Sequence, residues 1–171
     1  MKIDRPKISP ELSLKSFHDI FYEEDPTLEM CEIIDSTFEN ESVDRVRLYN
    51  AVIKNCKFTN TDFSNIDITD VCFENCELSN VNLSNSSVHR VEFKNSKLIG
   101  VNFIESSLGN VEFDSCSLDE ANFDQTSLKG IDISSSTFDT LTVSVNDLRG
   151  CKVSSYQAIQ FASLLGLIIK D

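Results

Sequence analysis

Residues 51–75 read AVIKN CKFTN TDFSN IDITD VCFEN, and the third residue of every five is apolar. The same rule holds without a slip from Ile33 to Val153, which makes 25 consecutive blocks of five. Since only 40% of the chain is hydrophobic, chance does not produce such a run. An internal repeat of this length decides the fold class before any single residue does.

Two further positions of the block support the repeat. The first residue is mostly small or β-branched, as in Ala51, Cys56 and Val71, and the fifth is often asparagine, which suits turns. A helix repeats every 3.6 residues and a strand every 2. A period of five instead predicts a short bridge followed by a turn. Four blocks then form a square coil of 20 residues, in which the large third residues stack as four internal columns.

Several blocks carry a family motif. AVIKN (51–55), TDFSN (61–65), VNLSN (81–85), VNFIE (101–105) and ANFDQ (121–125) resemble the pentapeptide-repeat motif, Ala-(Asp/Asn)-Leu-X-X. The resemblance covers about three-quarters of the chain. It implies an all-β solenoid, namely a right-handed quadrilateral β-helix of about six coils, in agreement with the square coil. At the strand spacing of about 4.8 Å, the coils build a rod roughly 30 Å long.

We predict three segments along the chain. Residues 1–30 form an N-terminal arm and cap, with a short amphipathic helix from Leu12 to Tyr22 laid over the first coil. A partner-binding arm is the alternative for this segment. Residues 31–155 form the β-helix, and no insertion projects from it. Residues 156–171 form a C-terminal helix and a short strand, which act as a cap or as a dimerisation module.

The C-terminal segment is strongly apolar. Ten of the fourteen residues from Tyr156 to Ile169 are apolar, counting tyrosine and alanine, and one coil end cannot bury them all. Exposed apolar patches of this kind mark contacts, and a two-fold dimer is the commonest closed arrangement. The segment also resembles the C-terminal module of the fluoroquinolone-resistance pentapeptide repeat proteins, which dimerise tail to tail. We therefore predict a homodimer through Tyr156, Ile159, Phe161, Leu164, Leu165, Leu167, Ile168 and Ile169.

The charge is strongly acidic and uneven. The formal net charge is −13, which disfavours nucleic acid and anionic membranes as partners. We call the blocks that begin at residues 31, 36, 41 and 46, with every twentieth residue after each, the first, second, third and fourth faces. Acids outnumber bases on the first three faces, whereas the fourth is slightly basic. Between Leu98 and Leu148 there are nine acids and one base, Lys129.

The resemblance implies a function for this acidic rod. The fluoroquinolone-resistance members are thought to mimic duplex DNA and to bind type II topoisomerases such as DNA gyrase. Some of them need projecting loops to protect the enzyme from drug, and this chain has none, so gyrase binding is predicted rather than quinolone resistance. The predicted partner-binding surface consists of Glu74, Glu92, Glu112, Asp114, Asp119, Glu120, Asp124, Asp132 and Asp139.

A general protein-interaction scaffold or spacer, without DNA mimicry, is the alternative. Its natural docking strip is the fourth face, with Tyr49, His89 and Arg90. Steep weakening of partner binding with rising salt would favour the mimic.

No catalytic constellation is present in the sequence. The only histidines, His18 and His89, lie far apart in the predicted fold, and there is no glycine-rich phosphate loop. All cysteines except Cys72 fall at the inward first position, where a thiol behaves as a small hydrophobe. There is no secretory signal and no apolar run of about 18 residues. We therefore predict a non-enzymatic cytoplasmic protein with no cofactor, no metal site, no nucleic acid partner and no membrane association.

Overall fold

The structure is a computed structural model that describes residues 27–42 and 46–170. This part of the chain winds as a β-solenoid of about six turns and ends in a short helix. The predicted N-terminal helix, Leu12 to Tyr22, lies outside the described residues. The strands are β1 (Thr27–Glu29), β2 (Glu32–Ile34), β3 (Thr37–Glu39), β4 (Arg47–Lys54), β5 (Lys57–Thr59), β6 (Asp67–Glu74), β7 (Ser87–Lys94), β8 (Ser107–Gly109), β9 (Glu112–Asp114), β10 (Ala121–Asn122) and β11 (Leu141–Thr142).

The predicted coil of 20 residues is confirmed by the strand register. All strand pairs are parallel, and each residue lies beside the residue 20 positions later, as Ile53 lies beside Phe73 and Phe73 beside Phe93. The longest strands, β4, β6 and β7, each run through the fourth face into the first. Isolated parallel bridges continue the same register to Lys152.

The core consists of the third-position columns that the sequence predicts, together with the small first-position residues beside them. Phenylalanine rings stack along the axis, with ring centroids 5.0 Å apart for Phe73 and Phe93 and 5.3 Å apart for Phe93 and Phe113. Phe103 meets Phe93 edge to face from the third face, at 6.4 Å. Aromatic pairs in these two geometries add to the stability that burial alone provides.

The fifth residue of most blocks turns the corner. Its φ is positive throughout most of the rod, from 48° at Asn95 to 61° at Asn65 among residues other than glycine, which is the left-handed region. Asparagine reaches this region more easily than other residues with a side chain, which explains its abundance there. The predicted turn role of the fifth position is therefore confirmed.

Buried first-position side chains also act as hydrogen-bond donors, on the fourth face (Ser106 and Thr126) as well as on the second. The first position of the second face is serine or cysteine in every coil, and its buried members donate to the backbone. The Cys116 thiol donates to the Phe93 carbonyl at 3.2 Å, and the Ser136 hydroxyl donates to the Phe113 carbonyl at 3.0 Å. Burial raises the pKa of the Cys116 thiol to about 11 and that of Cys76 to about 12. These thiols are structural donors, not merely small hydrophobes.

Helix α1 (Ser155–Ala162) closes the C-terminal end, and a 3₁₀ helix (Ser163–Leu165) follows it. Ser154 caps α1 in a capping box with Gln157. Phe161 packs on Phe138 with ring centroids 5.3 Å apart, so α1 covers the last layer of the core. The short strand predicted at residues 167–169 does not form, because no described neighbouring strand lies beside this segment to pair with it.

Candidate interaction surface

Three carboxylates form a column on the first face. Glu92, Glu112 and Asp132 occupy the second position in consecutive coils, and each is the register partner of the next. Their backbones are therefore separated by the strand spacing of about 4.8 Å. Like charges directly opposite on a sheet are destabilising. We call these three residues the carboxylate column. Among the described residues, its only basic register partner is Lys152, which lies beside Asp132.

The neighbouring column of the same face is balanced. Lys54, Glu74, Lys94 and Asp114 alternate in sign in consecutive coils and are also register partners. Glu74 and Asp114 therefore lie beside lysines, although the sequence analysis placed them in the acidic surface without this distinction. The unbalanced charge of the first face belongs to the carboxylate column.

Glu112 and Asp132 of the carboxylate column line a groove. The groove has a volume of about 410 Å³, and Glu112, Asp114 and Asp132 contribute carboxylates to it. Gly130 contributes to the lining with φ of 84°, and a Cβ atom there would have no neighbour within 4 Å. The Asp132 carboxylate accepts bonds from the Ser134 hydroxyl at 2.6 Å and from the Ser134 N–H at 3.0 Å. These bonds, with the charge of Lys152, hold the pKa of Asp132 below its ordinary value.

The remaining predicted acids are divided between the second and third faces. Glu120 and Asp139 are exposed, and Asp124 is half-buried. The structure therefore does not bring all nine predicted acids together: Glu92, Glu112 and Asp132 form a column, Glu74 and Asp114 lie in the neighbouring column of the same face, and the other four lie on the second and third faces.

Asp119 has a structural task. Its Oδ1 accepts bonds from the N–H groups of Asp139 at 3.1 Å and Thr140 at 2.8 Å, and from the Thr140 hydroxyl at 3.2 Å. Thr140 stands at a fifth position but, like Ser135 and Val145, lacks the positive φ of the fifth positions in the earlier coils. As a result the Glu120 N–H bonds the Thr140 carbonyl, one residue later than in the preceding coils. Asp119 anchors this bulge.

The bonds from Thr140 and Asp139 hold the pKa of Asp119 below its ordinary value of 3.8. A carboxyl with a lowered folded-state pKa contributes stability above its unfolded-state pKa, and this stability is lost as pH falls through the folded-state pKa. We expect Asp119→Asn to lower the melting temperature at neutral pH, and the difference from the parent to vanish below the folded-state pKa. Thermal melts across this pH range measure it. Asp139→Asn, which removes an exposed carboxylate that anchors no backbone group, serves as the control. A pH-independent difference would contradict the role of Asp119.

The fourth face has the opposite character. The Arg90 guanidinium binds the Asp70 carboxylate through two bonds of 2.6 and 2.7 Å. Further along, Lys129 and Arg149 are exposed in consecutive coils, and neither has an ion-pair partner within residues 27–42 and 46–170. The rod therefore presents a partly basic strip beside three faces that carry most of its acids.

The C-terminal end is apolar and open. Seven of the eight residues predicted for dimerisation are exposed large apolar residues, and Ile168 is 90% exposed. The eighth, Phe161, differs because its ring packs on Phe138. Beside these residues lies an apolar groove of about 420 Å³ lined by Val145, Leu148, Val153, Phe161 and Leu165 among others. We call it the terminal groove. Sequence reasoning missed Val145, which is 42% exposed at a fifth position, and periodicity gave no signal for it.

Gln157 was also missed as a structural residue. Its side-chain amide donates to the carbonyls of Ile133 and Ser136, both at 2.8 Å, and its Oε1 accepts from the Ser154 N–H at 2.8 Å. The Ser136 carbonyl has no further coil to bond and depends on Gln157, whereas the Ile133 carbonyl also accepts the Ser136 N–H at 3.0 Å. The serine at 154 with glutamine three residues later was the available sequence signal.

No helix among residues 27–42 and 46–170 is long and apolar enough to cross a membrane. The same residues contain no group of three His, Cys, Asp or Glu side chains placed to hold a metal ion. All six cysteines of the chain are reduced thiols.

Residues 53–123 match the family model described as Pentapeptide repeat region. Among solved structures, a trypsin-treated form of QnrB1, described as a plasmid-mediated fluoroquinolone resistance protein, is 16% identical, covers 85% of this chain and 83% of its own, and gives a TM-score of 0.35. The pentapeptide repeat protein Rfr23 from the cyanobacterium Cyanothece 51142 is 12% identical. Its match covers 75% of this chain and 91% of Rfr23, with a TM-score of 0.28.

HetL, a pentapeptide repeat protein involved in heterocyst differentiation regulation from Nostoc sp. strain PCC 7120, is 14% identical. Its match covers 75% of this chain and 83% of HetL, with a TM-score of 0.23. No curated protein matches the chain.

Proposed function

The chain is a pentapeptide repeat protein, and we propose that it is a non-enzymatic acidic rod that binds a basic DNA-binding protein in place of duplex DNA. The observation that carries this proposal is the carboxylate column, Glu92, Glu112 and Asp132. Three like charges in register cost stability, and a cation from a partner would relieve their repulsion. A solenoid face arranges such charges along one line, as a DNA strand arranges its phosphates.

DNA gyrase, or another type II topoisomerase, is the candidate partner. The resemblance of the C-terminal segment to the C-terminal module of the fluoroquinolone-resistance pentapeptide repeat proteins supports this choice. Duplex DNA carries about 35 charges over about 60 Å, whereas two chains at −13 each carry 26 over two rods end to end. The mimic is thus less densely charged than DNA, so we expect it to compete at micromolar rather than nanomolar concentration. The reduced state of the cysteines supports a reducing compartment such as the cytoplasm.

A gyrase supercoiling assay with the purified protein, run across a salt series, tests the proposal. We expect inhibition that weakens steeply as salt rises, because screening acts directly on exposed charges. Inhibition that is insensitive to salt would contradict an electrostatic mimic.

The column itself is tested by Glu92→Gln/Glu112→Gln. Removal of the two like-charge contacts is expected to raise the unfolding free energy by about 0.2–1 kcal/mol for each contact. The same variant is expected to need about tenfold or more protein for half inhibition of gyrase, because partner cations lose their carboxylates. Denaturant unfolding measures the expected gain in stability, and the supercoiling assay measures the expected loss of inhibition.

The matched control is Glu74→Gln/Glu77→Gln, which changes the net charge equally. Glu74 lies between Lys54 and Lys94, and Glu77 lies between Lys57 and Lys97. Because these acids have basic neighbours, their removal is expected to lower stability slightly and to leave inhibition almost unchanged. Equal loss of inhibition in both double variants would show that only the total charge matters, and would contradict a role for the column.

We also propose that two chains associate through their C-terminal ends. Full burial of one leucine or isoleucine side chain contributes about 1.5–3 kcal/mol, whereas association costs about 4–15 kcal/mol. Burial of the seven exposed apolar residues on each copy is therefore sufficient to hold a dimer. Sedimentation velocity is expected to give twice the mass of one chain at low and high salt alike, because the contact is apolar. A single-chain mass at micromolar protein would contradict it.

A protein-interaction scaffold without DNA mimicry is the second candidate function. The observation that favours it is the fourth face, where Lys129 and Arg149 present a charge opposite to that of DNA. Absence of gyrase inhibition at every salt concentration would favour the scaffold.

A further inference from the structure

We propose that the segment Leu167–Ile169 of one copy occupies the terminal groove of a second copy, and that the two copies exchange these segments reciprocally. This inference rests on the C-terminal dimer proposed above and adds which surfaces meet. The observations that carry it are an open apolar groove and an exposed apolar segment, side by side on the same end of the rod.

The terminal groove is bounded by two parts of the fold. Val145, Leu148 and Val153 line it from the last coil, and Phe161 and Leu165 line it from the helical segment. The lining is almost entirely apolar, and Arg149 is its single charged member. Water in such a groove finds few polar partners, so an apolar side chain is the favoured occupant.

The segment next to the groove does not fill it. Gly166 has φ of 69° and reverses the chain after the 3₁₀ helix, and the Leu167 N–H donates to the Ala162 carbonyl at 3.2 Å. Leu167 reaches the edge of its own groove but stays 59% exposed. Ile168 and Ile169 follow at 90% and 52% exposure. The chain therefore carries both an unfilled apolar groove and an apolar segment with no cover.

A second copy supplies what each surface lacks. In a two-fold dimer the same patch is used by both copies, so a segment that enters the partner's groove is matched by the partner's segment in return. Such an exchange buries Ile168 and fills the groove in one step. The occupant is thus another copy of this chain, and a different apolar partner is one of the outcomes that the experiment separates.

Disulfide trapping tests the exchange, because Cys151 already lines the terminal groove. The variant Ile168→Cys places a second thiol on the exposed segment. Oxidised glutathione takes up two electrons and two protons as the two thiols join. Burial raises the pKa of the Cys151 thiol to about 11, so the reaction is run at alkaline pH. We expect a covalent dimer in which a peptide containing residue 168 is joined to one containing Cys151 from the other chain.

Chains of two isotopic masses, mixed before oxidation, distinguish links between chains from links within one chain. The matched control is Ile168→Cys with Cys151→Ser, which is expected to lose the covalent dimer. A link between residues 168 of both chains would show that segment pairs with segment, and a link within one chain would show that it folds onto its own groove. Either result overturns the exchange, as does the absence of any link.

Sedimentation of the same variants separates the two proposals. A dimer without the link from residue 168 to Cys151 overturns the exchange but not the dimer. A single-chain mass for the parent protein overturns both the dimer and the exchange. It would indicate that a different protein covers the exposed apolar segment. The supercoiling assay is independent of this readout, so its outcome does not decide the exchange.

Discussion

Replacement of Phe93 by alanine is expected to lower the free energy of unfolding by about 3–5 kcal/mol, as for other large aromatic side chains in protein cores. Phe93 is fully buried and touches rings on three sides: Phe73 and Phe113 stack on it, and Phe103 meets it at its edge. The surrounding coils cannot collapse into the space, because their backbones are fixed at the strand spacing by the parallel ladders.

Denaturant unfolding followed by circular dichroism measures this loss. In a solenoid each coil is stabilised mainly by its neighbours, so a central defect is also expected to broaden the transition. The control is Ile104→Ala, which removes a partly exposed outward side chain of the neighbouring third face. Its cost is expected to be much smaller than that of Phe93→Ala. A Phe93→Ala protein with the midpoint and slope of the parent would contradict the stacked core.

The second large effect is expected from Gln157→Ala. The Gln157 side chain is 3% exposed and makes three hydrogen bonds, two of them to carbonyls of Ile133 and Ser136. The change leaves the buried Ser136 carbonyl without a partner, whereas the Ile133 carbonyl keeps the Ser136 N–H, so it is expected to cost about 1–3 kcal/mol. The loss falls on the contact between α1 and the sixth coil, not on the whole rod.

Hydrogen exchange of the backbone amides measures this local loss. Amides of residues 131–138 are expected to exchange faster in the variant, while those of residues 71–98 are unchanged. Gln160→Ala is the control, because Gln160 makes one bond to the Phe138 carbonyl and its own Oε1 has no partner among the described residues. Equal effects of the two changes would show that the bonds of Gln157 do not hold the cap.

The repeat could be predicted from the sequence because its signal is one-dimensional. A period of five, kept from Ile33 to Val153, fixes which residue points inward and which residue 20 positions later lies beside it. The carboxylate column was accessible to the same arithmetic, since Glu92, Glu112 and Asp132 differ by steps of 20. A sum of the acids on each face does not separate this column from the balanced column of Lys54, Glu74, Lys94 and Asp114.

Other features depend on contacts that the period does not describe. Thr140 lacks the positive φ that the period predicts for a fifth position, and the Asp119 carboxylate binds the N–H groups of the bulge that results. The Gln157 bonds depend on the position of the first turn of α1 relative to the carbonyl groups of the last coil. The serine and cysteine donors of the second face were visible in the sequence, but their carbonyl partners lie 23 residues earlier and appear only in the folded coil.

The fixed register also ties the angle between the two ends of the rod to the number of residues between them. Insertion or removal of 20 residues lengthens or shortens the rod by one strand spacing, about 4.8 Å, and leaves every later face on the same side. A change of five residues instead turns every later face by a quarter of a revolution. In chains built this way, partner specificity can therefore change through rotation of one end against the other, without a substitution at any contact.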